Sequence, residues 1–271
     1  MPELPEVETT RRGIAPSVRG HRIECIVVRN ARLRWPVPED LPRLAAGQRI
    51  VDVRRRAKYL VFDLERGALI LHLGMSGSLR LLSTPTSPKL HDHVDIILDS
   101  GVTARYNDPR RFGSLLWSGG DVTGHPLLAS LGPEPLSDEF DGAYLARVAR
   151  GRRVAIKQLL MNSQVVVGVG NIYASEALFR AGIRPRRAAG RLRRAEFEAL
   201  ARGVKQVLQD AIHAGGTTLR DYLDPEGKPG YFRQKLFVYE RGREPCRICR
   251  TPIRQLVLGQ RSTYFCPTCQ R

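Results

Sequence analysis

The last 26 residues contain Cys246-Arg247-Ile248-Cys249, sixteen further residues, and then Cys266-Pro267-Thr268-Cys269. Two C-x2-C pairs at that separation match four thiolate ligands of one tetrahedral zinc ion, each pair forming a knuckle and the residues between them a β-hairpin. Two disulfides or unrelated buried thiols are the competing readings, and a reducing intracellular setting disfavours both. All four coordination positions are filled by protein, so the metal is structural and leaves no place for substrate. Its use is to hold the hairpin residues Gln260-Arg261-Ser262-Thr263 firmly enough to press Arg261 against a phosphate. The fifth cysteine, Cys25, lies alone in an apolar run and reads as a small buried side chain without a role.

A phosphate partner agrees with the charge. The 271 residues carry 44 Lys and Arg against 27 Asp and Glu, a formal net charge of +17. Such an excess favours a polyanion, because each neutralised phosphate releases condensed counterions. A basic surface kept for solubility or ribosome association is the plainer reading, and charge by itself names no reaction. No apolar run approaches the roughly 18 residues that cross a bilayer. Glu3, Glu6 and Glu8 stand where a secretion signal would be cationic, so the expected location is the cytosol, with no membrane partner.

Periodicity divides the chain. A short helix is expected over about residues 5–18, with Val7, Thr10 and Ile14 on one side. Short strands are expected over 22–29, 49–54, 59–64, 68–73, 93–98 and 112–117, which reads as a β-sandwich or barrel. The Pro-rich stretch Leu131 to Asp138 has the composition of a boundary. Beyond it the pattern turns helical over about 141–149, 154–161, 171–181 and 194–213. The domains are set at 1–131, 132–236 and 237–271.

Two further features carry chemistry. Gly168-Val169-Gly170-Asn171 precedes a helical pattern and lacks the third glycine of a dinucleotide site. Two helices joined by a glycine-bearing turn describe it better, with a helix start that attracts phosphate. Asn171 reads either as an N-cap or as a phosphate contact. The second feature is Met1-Pro2-Glu3. With Met1 removed, Pro2 presents a secondary amine beside a carboxylic acid, and such an amine attacking an aldehydic carbon forms an iminium ion that acts as an electron sink. Taken alone, the same residues are an ordinary chain start.

The blocks Pro2-Glu3-Leu4-Pro5-Glu6-Val7-Glu8-Thr9, Arg56-Ala57-Lys58-Tyr59-Leu60, His72-Leu73-Gly74-Met75-Ser76-Gly77 and Asp108-Pro109-Arg110-Arg111-Phe112-Gly113 complete the set. With the glycine turn and the four cysteines, they resemble in order the formamidopyrimidine-DNA glycosylases of bacteria, from residue 2 to the final cysteine. The resemblance implies an α+β chain: an N-terminal β-sandwich domain, a helix-two-turn-helix domain and a C-terminal zinc ribbon. It implies a monomeric base-excision repair enzyme, both glycosylase and lyase, that acts on damaged double-stranded DNA, with one structural Zn2+ and no redox cofactor. The related endonuclease VIII class, which prefers oxidised pyrimidines, is the alternative, and Leu4-Pro5 and Val7-Glu8-Thr9 favour the purine enzyme. A zinc-ribbon protein that only binds nucleic acid is the alternative outside the superfamily.

Carried over residue by residue, the resemblance makes Pro2 the Schiff-base nucleophile and Glu3 the acid. Lys58 assists β-elimination, and Arg261 serves the final δ-elimination. For Arg261 a phosphate clamp is the safer role, since guanidinium rarely gives up its proton. His91, Arg110, Arg152 and Asn171 are placed on DNA. Met75, Arg110 and Phe112 are expected in exposed tight loops, entering the space left by an extruded nucleotide. Asn162 departs from the family pattern, where an aspartate is expected.

Overall fold

The computed structural model describes residues 2–216 and 232–271. The order is α1 (Leu4–Val18), β1 (Ile23–Val28), α2 (Leu41–Ala45), β2 (Ile50–Arg56), β3 (Tyr59–Leu64), β4 (Ala68–His72), β5 (Ser78–Leu82), β6 (Asp92–Leu98), β7 (Thr103–Asn107) and β8 (Ser114–Ser118). Then follow α3 (Gly142–Ala149), α4 (Ile156–Leu160), α5 (Asn171–Arg180), α6 (Arg194–His213), β9 (Arg254–Leu258) and β10 (Arg261–Phe265). Two compact units result. One is built on residues up to Ala129 and takes in the chain again from Ala214; the other comprises Ser130–His213 and Gln234–Arg271. Among the described residues no helix is long and apolar enough to cross a membrane.

The first unit is a β-sandwich of two antiparallel four-stranded sheets, ordered β1-β6-β7-β5 and β2-β3-β4-β8. Its core draws Ile23, Ile26, Leu79, Val94, Ile96 and Tyr106 from one sheet and Val53, Leu60, Phe62, Leu69, Leu71 and Leu115 from the other. Helix α1 adds Val7, Ile14 and Val18 to that core, the i, i+7, i+11 spacing of one helix face. It starts where the sequence says, with Glu3 as N-cap and Pro5 in the first turn, and Glu6 Oε2 accepts the Glu3 N–H at 2.8 Å.

Six of the eight sandwich strands lie where periodicity puts them; β5 and β7 do not appear in the sequence reading. Both carry an arginine in mid-strand, which hides the apolar alternation. Arg105 of β7 is buried because Asp95 accepts two hydrogen bonds from it at 2.8 Å, and Arg80 of β5 pairs with Asp92 at 2.7 Å. Cys25 is half-buried on β1 rather than in the core.

In the second unit Asp141 caps α3 by accepting the Tyr144 N–H at 2.6 Å. Helix α6 buries Phe197, Leu200, Ala201, Val204, Val207, Leu208 and Ala211, the continuous stripe of an amphipathic helix. Asn162 starts the turn after α4: its Oδ1 accepts the Gln164 N–H at 3.0 Å, and its carbonyl accepts from Val165 and Val166. Strands β9 and β10 form the expected finger hairpin. The finger rests on Phe179 of α5, with Val238, Ile253, Cys246 and Cys266 in the same small core.

Candidate active site, zinc centre and nucleic-acid-facing loops

In the first unit, buried Pro2 and Glu3 sit immediately before α1. Lys58 is not a strand residue: Ala57 and Lys58 make the two-residue turn between β2 and β3, with Ala57 at φ 56°. That backbone costs about 1 kcal/mol for a residue with a Cβ, and a side chain holds it in place. The Arg55 guanidinium donates to the Ala57 carbonyl at 2.9 Å and to Glu8 Oε2 at 3.2 Å. Glu8 lies on α1, so one arginine ties the helix that begins at Glu3 to the turn that carries Lys58. Burial raises the Glu8 pKa, but hydrogen bonds from Arg11 and Arg12 outweigh it and hold the carboxyl below its ordinary range.

His72, at the end of β4, pairs across the sheet with Tyr59. Burial, aided by the nearby cations Lys58 and Arg34, pushes it down to about 4, so it is neutral near pH 7. Its Nδ1 accepts the Gly74 N–H at 3.0 Å, which starts the turn Gly74-Met75-Ser76.

Met75 and the exposed Arg110 and Phe112 lie on two loops, not in strands: Phe112 precedes β8 by two residues. Asp108, fully buried, fastens these loops together. Its Oδ1 accepts from Ser76 Oγ at 2.8 Å, and its Oδ2 accepts from Tyr106 Oη at 3.0 Å and the Gly113 N–H at 2.9 Å. The loops touch backbone to backbone, since a Cβ at Gly74 would lie 2.5 Å from the Gly113 nitrogen. The result presents Arg110 stacked on Phe112, 4.7 Å from the ring centre, with Phe112 42% exposed. A cation over an exposed ring, beside a flexible thioether, can fill a gap in a base stack. His91 is half-buried, and its carbonyl accepts the Asp108 N–H at 3.0 Å, so it belongs to the same scaffold.

In the second unit Gly170, not Asn171, is the N-cap of α5; Asn171 is the first helical residue. Gly168 takes φ +76°, which lets the chain turn into that start. The Asn171 side chain faces the finger, its Nδ2 donating to the Ser262 carbonyl at 3.0 Å. Lys157, 1% exposed, completes the joint by donating to Asn171 Oδ1 at 2.6 Å, Thr263 Oγ1 at 2.7 Å and the Ser262 carbonyl at 3.2 Å. The helix start thus meets the hairpin beside exposed Arg261, the residue before Ser262. Arg152 is exposed in the turn between α3 and α4.

Sequence reasoning missed the joining residues. Asp108 stands in the sequence only as part of a motif, with no core residue beside it to mark it; the signal for Lys157 is a charge set among the core residues Ile156, Leu159 and Leu160. Glu176 gives the same signal inside α5. It is 1% exposed, and its carboxylate accepts three successive backbone N–H groups, of Phe237, Val238 and Tyr239, at 2.8 to 2.9 Å. Burial raises its pKa, opposed by those three amides.

The four cysteine sulfurs lie within 4.8 Å of one another, Cys246 to Cys269 at 3.9 Å and Cys249 to Cys266 at 3.4 Å. Four ligands at about 2.3 Å from a tetrahedral zinc stand about 3.8 Å apart, so the set fits one ion. Backbone N–H groups of Ile248 and Cys269 reach Cys246 Sγ and Cys266 Sγ at 3.4 Å, stabilising thiolate charge. Hydrogen bonding from Thr251 draws Cys249 down to about 6. The residues hold one structural zinc ion.

The chain is thus an α+β protein that joins a β-sandwich to a two-helix turn and a zinc hairpin. Three family models match it: "Formamidopyrimidine-DNA glycosylase N-terminal domain" over residues 1–115, "Formamidopyrimidine-DNA glycosylase H2TH domain" over 131–222, and "Zinc finger found in FPG and IleRS" over 243–271. A formamidopyrimidine-DNA glycosylase of Methylococcus capsulatus is 58% identical over all 271 residues and the whole of both chains. The crystal structure of the MutM (FPG) protein from Thermus thermophilus is similar with a TM-score of 0.89 and 41% identity, over 99% of this chain and 98% of that one. The complex of the Lactococcus lactis FPG with a Fapy-dG containing DNA gives a TM-score of 0.91 and 32% identity, over 99% of this chain and 100% of that one. The chain belongs to the formamidopyrimidine-DNA glycosylase family.

Proposed function

We infer that this chain excises oxidised purines, formamidopyrimidines and 8-oxoguanine among them, from duplex DNA and then cleaves the strand at the abasic site. The observation that carries this is the full-length identity to a formamidopyrimidine-DNA glycosylase, with a relative of the same fold bound to Fapy-dG DNA. The four-cysteine centre supplies no open coordination position, so the chemistry falls to side chains and the chain start.

With Met1 removed, the Pro2 nitrogen attacks the sugar C1′ as the damaged base departs, and Glu3 supplies the proton that sugar or base takes up. The resulting iminium is the electron sink for loss of a C2′ proton and departure of the 3′-phosphate, assisted by Lys58. A second elimination releases the 5′-phosphate and leaves a one-nucleotide gap. Arg261 clamps a phosphate in this last step, and His91, Arg110, Arg152 and Asn171 contact DNA. Support comes from the tie that Arg55 makes between α1 and the Lys58 turn, and from the joint of Asn171 with the Arg261 hairpin. We take 1–131, 132–236 and 237–271 as the domains, and a monomer at the nucleoid in the bacterial cytosol as the working form.

Incision assays test the substrate. A duplex carrying 8-oxoguanine or a formamidopyrimidine should be cut to a gap with phosphate on both sides, and one carrying thymine glycol much more slowly. Equal or faster cutting of thymine glycol would place the chain with the pyrimidine enzymes, and binding without incision of an abasic duplex would make it a binding protein only.

A second test concerns the loops. Extruding a stacked base costs a few kcal/mol, and less where the base is missing. Arg110→Ala and Phe112→Ala should therefore lower incision of paired lesions by about tenfold or more while costing abasic cleavage far less. Equal losses on both substrates would mean that these side chains only maintain the loops.

A further inference from the structure

At the cysteine end of the finger, Phe179, Arg180, Lys235, Phe237, Arg247 and Ile248 line a groove that contains none of the residues proposed above for the repair reaction. Its floor is a pair of stacked rings, Phe179 and Phe237, 5.2 Å apart and inclined by 24°. One wall is Ile248, 68% exposed and fixed in place between two zinc ligands. Ile248 thus adds exposed apolar surface to the groove beside the two rings.

The rim is cationic. Arg247 lies over the Phe237 ring at 5.8 Å and donates to the Gln234 carbonyl at 3.0 Å, and Lys235 stands near Asp210, the one carboxylate among the described lining residues. Arg180 pairs with that carboxylate at 2.8 Å, yet its buried Nε has no hydrogen-bond partner among the described residues. Among the described residues, three cations against one anion leave a net positive rim around an apolar floor.

This groove lies away from the nucleic-acid-facing residues of the same unit. Asn171 opens α5 and Phe179 stands eight residues further on, about 12 Å along the axis at 1.5 Å per residue. Arg261 sits at the turn end of the finger hairpin, and the cysteines lie at the other end. A phosphate backbone would bring charge without the apolar surface that the floor and Ile248 can bury. We propose that the groove docks an acidic peptide segment of a partner protein, one that carries a large apolar side chain among its carboxylates.

The probe is a fluorescein-labelled peptide of four aspartates followed by leucine and phenylalanine, titrated by anisotropy into the zinc-loaded full chain. Binding should saturate and should persist when a duplex with an uncleavable abasic analogue fills the DNA site. It should weaken at least about tenfold with Arg247→Glu, with Ile248→Ser, and with a peptide in which alanines replace the leucine and phenylalanine. Zinc content and abasic incision should be retained in both variants. Lys235→Glu, outside the knuckle, gives the same reading without touching the metal site. Displacement of the peptide by duplex, equal binding of the alanine peptide, or parental binding by all three variants would overturn the proposal.

Discussion

Protein that keeps Met1, or carries a tag before Pro2, should lose base excision and strand cleavage together, by about a thousandfold or more, while folding and zinc content stay unchanged. Either change converts a secondary amine into an amide, whose nitrogen lone pair is delocalised and cannot form an iminium. Removing a nucleophile outright acts on this scale. Pro2 lies just ahead of α1, beside the N-cap Glu3, so removal of Met1 puts the amine next to a carboxylic acid. Lysines are the physical alternative. Lys157 fits the role poorly, since its Nζ already donates to three acceptors in the joint between α4, α5 and the finger. Lys58 stays intact in the blocked protein, so borohydride separates the cases. Reduction on lesion-bearing DNA should cross-link the untagged enzyme through its N-terminal peptide. Robust trapping by the tagged protein, or a cross-link mapped to a lysine-bearing peptide, would remove Pro2 from the mechanism.

What could be read from sequence was whatever follows from local spacing. The cysteine pairs, the α6 stripe and the short apolar runs of β3 and β4 depend on residues close in the chain, and each stands where spacing placed it. Strands β5 and β7 were hidden because their mid-strand arginines are neutralised by aspartates on β6, a pairing that no window of neighbours contains. The candidate site residues came from motifs, but the hydrogen-bond partners that hold their loops and helix starts did not. Asp108 joins two loops through Ser76, 32 residues away, and Lys157 reaches Thr263, 106 residues away. Burying such groups costs several kcal/mol unless every partner is in place. The sequence displays the charge; only the folded chain displays its partners.

Removing the zinc, by chelation or by Cys249→Ser, should lower affinity for lesion-bearing duplex by about a hundredfold or more and leave the sandwich folded. Structural zinc contributes about 10 to 16 kcal/mol in small fingers. The finger's own packing is slight by comparison: Val238 and Ile253 are its buried aliphatic side chains, each worth about 2 kcal/mol. Ordering the hairpin costs about 1 kcal/mol or more for every residue fixed. Without metal the hairpin therefore cannot hold its shape, and the damage extends beyond Arg261. Ser262 and Thr263 provide two of the acceptors of buried Lys157, and Ser262 accepts from Asn171, so the start of α5 loses its alignment at the same time. The two effects can be followed separately because both tryptophans, Trp35 and Trp117, belong to the first unit. Their fluorescence should stay native through a chelator titration in which DNA binding and bound zinc fall together. The untreated chain should hold one zinc. Full activity in zinc-free protein would show that the finger stands on its packing, and a tryptophan transition coincident with metal loss would show that the two units unfold as one.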